Sequence, residues 1–230
     1  MKTIGLIGGM SWESSSEYYR IINETVKEKL GRLHSAQCIL YSVNFEEIAT
    51  LQHEGKWEEL TELMINFALS LEGAGADFIV ICTNTMHKMA EDIENNINIP
   101  LVHIADATGE KIIEKGLAKL GLLGTDFTME EDFYKKRLRE RYSIEVMIPS
   151  QSDRKIVDSV IYNELCLGTI KQSSKEKYKE IIKRLVSDGA DGVILGCTEI
   201  PLLIGQDDVE VPVFDTTTIH ARAAVELALK

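Results

Sequence analysis

The sequence predicts an α/β protein built from two pseudo-symmetric parallel-sheet units, and three observations carry that expectation. Gly75-Ala76-Asp77-Phe78-Ile79-Val80-Ile81-Cys82-Thr83-Asn84-Thr85 recurs without a gap as Gly189-Ala190-Asp191-Gly192-Val193-Ile194-Leu195-Gly196-Cys197-Thr198-Glu199, 114 positions later. Ile4-Gly5-Leu6-Ile7-Gly8-Gly9 recurs as Leu120-Gly121-Leu122-Leu123-Gly124-Thr125, offset by 116. Strand-like apolar runs alternate with helical patterns along the whole chain, which implies parallel sheets covered by helices.

In chain order, apolar runs at 3–7, 37–43, 77–82 and 99–104 read as strands, and helical periodicity falls at about 13–30, 56–73 and 86–95. The second half repeats the scheme, with strands near 119–124, 144–148, 191–196 and 211–214 and helices near 129–141, 153–168, 174–188 and 216–229. Each copy of the longer repeat is a Gly-Ala-Asp turn, one buried strand's worth of apolar residues, then small polar residues where strand gives way to helix. No low-complexity linker separates the halves, so the expected site is the cleft between two tightly packed domains.

The chain has 230 residues, 44% of them hydrophobic and 27% charged, which is ordinary for a soluble globular protein with a sizeable core. A net charge of −12 argues against a nucleic-acid surface, since that needs clustered Lys and Arg. A small anionic ligand remains compatible, because a pocket's local field can oppose the global charge. The N-terminus reads straight into a strand at Thr3–Ile7, and no apolar stretch approaches the roughly 20 residues of a membrane span. A cytoplasmic location, no membrane partner and a homodimer are expected. The cysteines at 38, 82, 166 and 197 lack metal spacing, and in a reducing compartment they are expected as thiols.

In parallel sheets ligands bind beyond the carboxyl ends of the strands. There lie Gly8-Gly9-Met10-Ser11, Cys82-Thr83-Asn84-Thr85, Gly124-Thr125 and Gly196-Cys197-Thr198-Glu199. Backbone N–H groups at a helix start near Met86, with Asn84 and Thr85 beside them, suit a carboxylate; the plainer reading is that both residues only cap the helix. Cys197 holds the equivalent corner of the second unit, where a helix N-terminus is expected to lower its pKa. Cys38 and Cys166 read as small buried hydrophobes. Cys82 and Thr83 point to opposite faces of a regular strand, and the repeat register aligns Thr83 with Cys197. A change of backbone at the strand end would present Cys82 instead.

Ile4 to Gly9 with Met10-Ser11-Trp12-Glu13-Ser14 and Tyr18-Tyr19, Cys82-Thr83-Asn84-Thr85-Met86-His87, Leu123-Gly124-Thr125-Asp126-Phe127-Thr128-Met129, Glu164-Leu165-Cys166-Leu167-Gly168 and Gly196-Cys197-Thr198-Glu199 together resemble the aspartate/glutamate racemase family over essentially the whole chain. The resemblance implies cofactor-independent racemisation of an amino acid, with two residues flanking the substrate Cα, both usually cysteines. Here Cys197 matches the second context, whereas Thr83 stands where the first cysteine is usual. The resemblance further implies that Met10, Ser11, Gln52 and Thr125 line the substrate pocket beside Asn84, Thr85, Thr198 and Glu199. Its fold has the chain returning to the first domain at its end, giving domains 1–104 with 213–230, and 105–212. It also implies that the L-enantiomer is preferred. No cofactor or metal is expected, because Gly5-x-x-Gly8-Gly9 lacks the dinucleotide fingerprint and the histidines are scattered. His87 and His220 read as core or solvated residues, with a supporting hydrogen-bond role as the less favoured alternative. A Cys197-dependent decarboxylase or cis-trans isomerase, and a non-catalytic amino-acid-binding protein, are the rival functions.

Overall fold

In the computed structural model, which describes residues 1–230, every strand runs parallel to its neighbours. The first unit, Met1–His103 with His220–Lys230, holds β1 (Ile4–Gly8), β2 (Cys38–Ser42), β3 (Phe78–Ile81) and β4 (Leu101–Val102) in the order β2-β1-β3-β4. The second, Ile104–Ile219, holds β5 (Lys119–Gly124), β6 (Glu145–Met147), β7 (Gly192–Gly196) and β8 (Val213–Asp215) in the order β6-β5-β7-β8. The two orders are the same, so the repeat in sequence is a repeat of topology.

Strands β1, β3 and β7 are buried at every position, as strands covered on both faces must be. In the first unit, Ile7, Ile79 and Ile81 pack with Leu60, Met64 and Leu71 of α3 (Trp57–Gly73) and with Ile48 of α2 (Phe45–His53). Ile4, Leu6, Phe78 and Val80 pack on the other face with Tyr18, Ile22 and Val26 of α1 (Trp12–Leu30) and with Ala221, Ala224 and Val225 near the chain's end. A 3-10 turn, Thr85–Met89, and α4 (Ala90–Glu94) follow β3. The second unit encloses one core, lined by α5 (Ile104–Glu114), α6 (Asp126–Glu130), α7 (Asp132–Tyr142), α8 (Gln151–Asn163) and α9 (Gln172–Ser187). The last helix, α10 (Thr216–Ala228), starts in the second unit and ends in the first. No helix is long and apolar enough to cross a membrane.

Two glycine positions shape the strand ends. Gly9 has φ of +90°, and a Cβ there would lie 2.4 Å from the Val43 carbonyl oxygen. Gly124 faces Gly196 across β5 and β7, and a Cβ on Gly124 would meet the Gly196 oxygen at 2.8 Å.

Four expectations need correction. Residues 213–219 do not join the first unit: β8 pairs with β7 (Val193 with Val213), because it is the topological twin of β4. The helix expected at 86–95 is a 3-10 turn followed by only five α-helical residues. The pattern at 129–141 divides into α6 and α7, since Glu131 is extended and starts the second helix. Helices α2 and α5 have no counterpart in the expected pattern.

His220 is fully buried in the first unit; its Nε2–H donates to the Val102 carbonyl (2.7 Å), and its Nδ1 accepts from the Tyr18 hydroxyl (2.9 Å). Burial, only partly opposed by the Val102 bond, lowers its pKa from 6.5 to about 4. The unfolded chain therefore binds a proton below about pH 6.5 that the native state refuses until about pH 4. This contribution to stability, about 3 kcal/mol, is present above the unfolded pKa and is lost as pH falls through that window. Thermal unfolding followed from pH 7 to 4 should show a falling midpoint, and His220→Gln should flatten that fall.

Candidate active site

The first unit's corner begins where β3 runs out. Cys82 keeps the ladder, its N–H donating to the Ile7 carbonyl (2.9 Å), and its side chain is fully buried in the cluster of Phe78, Val80, Tyr18 and Ala221. Burial pushes its thiol well above the usual range. Thr83, beyond the strand, is half-buried, and its carbonyl accepts from His87 Nδ1–H (2.8 Å). Asn84 and Thr85 follow, both buried; Asn84 makes no capping bond with its side chain, so capping does not account for it.

The other polar residues of this unit behave differently from one another. Ser11 is the N-cap of α1, accepting from Ser14 N–H (3.5 Å), so a structural role is realised there. Ser15 ties the glycine loop to the helix: its Oγ accepts from Gly9 N–H (2.8 Å) and donates to the Ser11 carbonyl (2.8 Å). Met10 is buried within the α2–α3 core. Gln52, on α2, is only 4% exposed; its Nε2 donates to the Met86 sulfur (3.1 Å), while its Oε1 is buried without a partner. A thioether is a weak acceptor, so this amide is poorly satisfied.

In the second unit Cys197 is the first side chain past β7. It is 7% exposed, and its Sγ–H donates to Glu199 Oε2 (2.9 Å). The Thr198 hydroxyl donates to the same oxygen (3.1 Å), and Thr198 and Glu199 are both buried. Helix α10 braces the corner: the Thr216 hydroxyl donates to the Leu195 carbonyl (2.7 Å) and the Thr217 hydroxyl to the Thr198 carbonyl (3.4 Å). Thr125 is the N-cap of α6, accepting from Thr128 N–H (3.3 Å).

Electrostatics at Cys197 reverse the expectation of a lowered pKa. Burial raises it, and the Glu199 and Cys166 charges raise it further; a backbone hydrogen bond from Glu199 pulls the other way without offsetting them. The expected helix dipole is absent because only a three-residue 3-10 turn, Ile200–Leu202, follows. Cys166, which reads from sequence as a small buried hydrophobe, is only half-buried and is an electrostatic neighbour of Cys197. Tyr162 is another, its hydroxyl pushed up by burial and by the charges of Cys197 and Asp158. Asp158, Tyr162 and Cys166 recur every fourth residue, a helical-face signal legible in the sequence. No three His, Cys, Asp or Glu side chains cluster as metal ligands.

Residues 7–224 match the family described as Asp/Glu/hydantoin racemase. A solved structure from Yersinia pestis, itself only provisionally assigned as an Asp/Glu racemase, is 55% identical with a TM-score of 0.92, covering 100% of both chains. An aspartate racemase homologue from Pyrococcus horikoshii OT3 is 42% identical with a TM-score of 0.86, again over 100% of both. The broad specificity amino-acid racemase RacX of Bacillus subtilis is 24% identical over 235 residues, 98% of each chain.

A thiol with a raised pKa is almost wholly protonated near neutrality, so its alkylation tracks the small thiolate fraction. Iodoacetamide modification of Cys197, located by peptide mass spectrometry, should accelerate about tenfold per pH unit from about pH 7 to 9. A plateau below about pH 8 would show a stabilised thiolate instead.

Proposed function

The chain belongs to the Asp/Glu/hydantoin racemase family, and on that premise we propose that it interconverts the enantiomers of an amino acid, aspartate and glutamate first, using Cys197 and Thr83 on opposite faces of Cα and no cofactor. The observation that carries this reading is the buried contact between the Cys197 thiol and the Glu199 carboxylate. Removing a Cα proton needs a base held against carbon, and a thiol with a carboxylate in hydrogen-bond reach can become one at the moment of need.

In this scheme Cys197 passes its proton to Glu199 and, as thiolate, accepts the Cα proton. The electron pair left on Cα spreads into the substrate's α-carboxylate, where donors at Asn84, Thr85 and Thr198 stabilise the developing charge. Met10, Ser11, Gln52 and Thr125 line the same site. The Thr83 hydroxyl gives a proton to the opposite face and recovers it from solvent, to which Glu199 releases the proton it took, so both groups return to their starting states. The repeat supports this division of labour, since positions 83 and 197 are equivalent in its register and inversion at carbon calls for one group on each face.

Chiral chromatography of aspartate and glutamate incubated with the protein tests the reading, before and after dialysis against a chelator and a carbonyl reagent. The opposite enantiomer should accumulate at an unchanged rate after dialysis. Cys197→Ser should bring turnover below detection, because a serine hydroxyl is far less acidic than a thiol. Cys82→Ala should keep turnover and lose about 1 kcal/mol or more of stability through packing. Full activity in a folded Cys197→Ser variant, loss of activity on dialysis, or release of carbon dioxide in place of racemisation would each contradict it.

A further inference from the structure

Three histidines scattered in sequence, at 87, 103 and 220, converge in the first unit at the carboxyl ends of β3 and β4. All three are buried. The His87 ring lies 4.6 Å from that of His103 and 5.6 Å from that of His220, and Tyr18 meets His220 edge-on at 5.7 Å. Burying three imidazoles at one place is costly unless each is held by hydrogen bonds. His220 spends its ring nitrogens on Val102 and Tyr18, fixing the end of β4 to helix α1. His87 Nδ1 is spent on the Thr83 carbonyl.

The register explains why that carbonyl needs a side-chain donor. β4 pairs with β3 only at Ile79–Leu101 and Val80–Val102, and the chain leaves the strand at His103. Ladder bonds from β4 therefore stop short of Thr83, while β1 reaches only as far as the Cys82 N–H. His87, four residues on, folds back over the 3-10 turn and supplies the missing bond; the rings of His103 and His220 pack against its own.

We infer that His87, backed by His103 and His220, is a positioning residue that fixes the peptide after Thr83 and so presents Thr83, not Cys82, to the substrate. This rests on the proposed role of Thr83, and the experiment separates the two. Formation of the D-enantiomer from L-aspartate and L-glutamate would be measured by chiral chromatography in His87→Ala, His87→Asn, His87→Gln, Thr83→Ala and the double variant Thr83→Ala/His87→Ala. A displacement of about 1 Å at a reacting group costs about 100-fold, so His87→Ala should lower kcat by about 10- to 100-fold with KM little changed. His87→Asn, whose amide N–H sits where Nδ1–H was, should recover most of the rate, and His87→Gln, whose amide sits where Nε2 was, should not. Because His87 acts through Thr83, removing it should cost nothing further in the Thr83→Ala background.

Equal rates in His87→Asn and His87→Gln would overturn the inference, as would undiminished kcat in His87→Ala or a full additional loss in the double variant. Should His87→Ala fail to fold, the Asn–Gln comparison decides alone. Wild-type racemisation in Thr83→Ala would instead defeat the role of Thr83 itself, whatever the His87 variants do.

Discussion

In a parallel strand covered by helices on both faces, every side chain is committed to one face, and that commitment governs the chemistry available at the strand's end. Phe78, Val80 and Cys82 belong to the core against α1, whereas Ile79 and Ile81 belong to the core against α3. Bringing Cys82 round to a ligand would mean slipping the strand by one residue, which would carry every apolar side chain to the wrong core. The second unit closes the same position more completely: Gly196 aligns with Cys82, and a Cβ there would meet Leu122 Cδ1 at 2.5 Å. The first side chain each unit offers past this constraint is Thr83 in one and Cys197 in the other.

The second constraint is electrostatic. A buried thiol beside a buried carboxylate is a poor thiolate at rest, and the raised pKa of Cys197 says so. It is also a strong base once formed, because basicity rises with pKa. Glu199 carries both halves of this behaviour: its charge resists ionisation of the sulfur, and its Oε2, 2.9 Å away, accepts the hydrogen bond of the thiol and in the proposed scheme its proton. A racemase needs that combination more than it needs a standing nucleophile, since the proton it removes is held by carbon.

Most of the architecture was legible because buried strands flanked by Gly-Ala-Asp turns are distinctive, and a chain that repeats them reveals topology as well as elements. The losses have local causes. Helix α5 follows β4 without a glycine or proline turn, and only His103 interrupts the apolar residues from Leu101 to Ala105, so the run expected as strand extends to Ile104. The boundary near residue 213 is not legible because nothing in Val213-Phe214-Asp215 says which sheet it joins; its pairing with β7 does. At the candidate site, motif and register single out the polar residues beyond each strand. The direction of the Cys197 shift is not legible in the same way, because it depends on burial and on a rotamer of Glu199 that no sequence pattern encodes. His103 carried no motif at all, and its meaning arises only from the convergence of three distant histidines.

The asymmetry between a thiol and a hydroxyl is the central claim, and the most direct measurement is Cα–H loss in deuterium oxide, followed by proton NMR for each enantiomer separately. An equilibrium constant of one fixes the end point, so only the two approaches to it are informative. Exchange should be fast from the L-enantiomer and slow from its mirror image, and Thr83→Cys should raise the slow rate selectively by restoring a base to the weak face. Equal exchange from both enantiomers in the wild-type protein, or loss of exchange in Cys82→Ala with no effect of Thr83→Cys, would contradict the account.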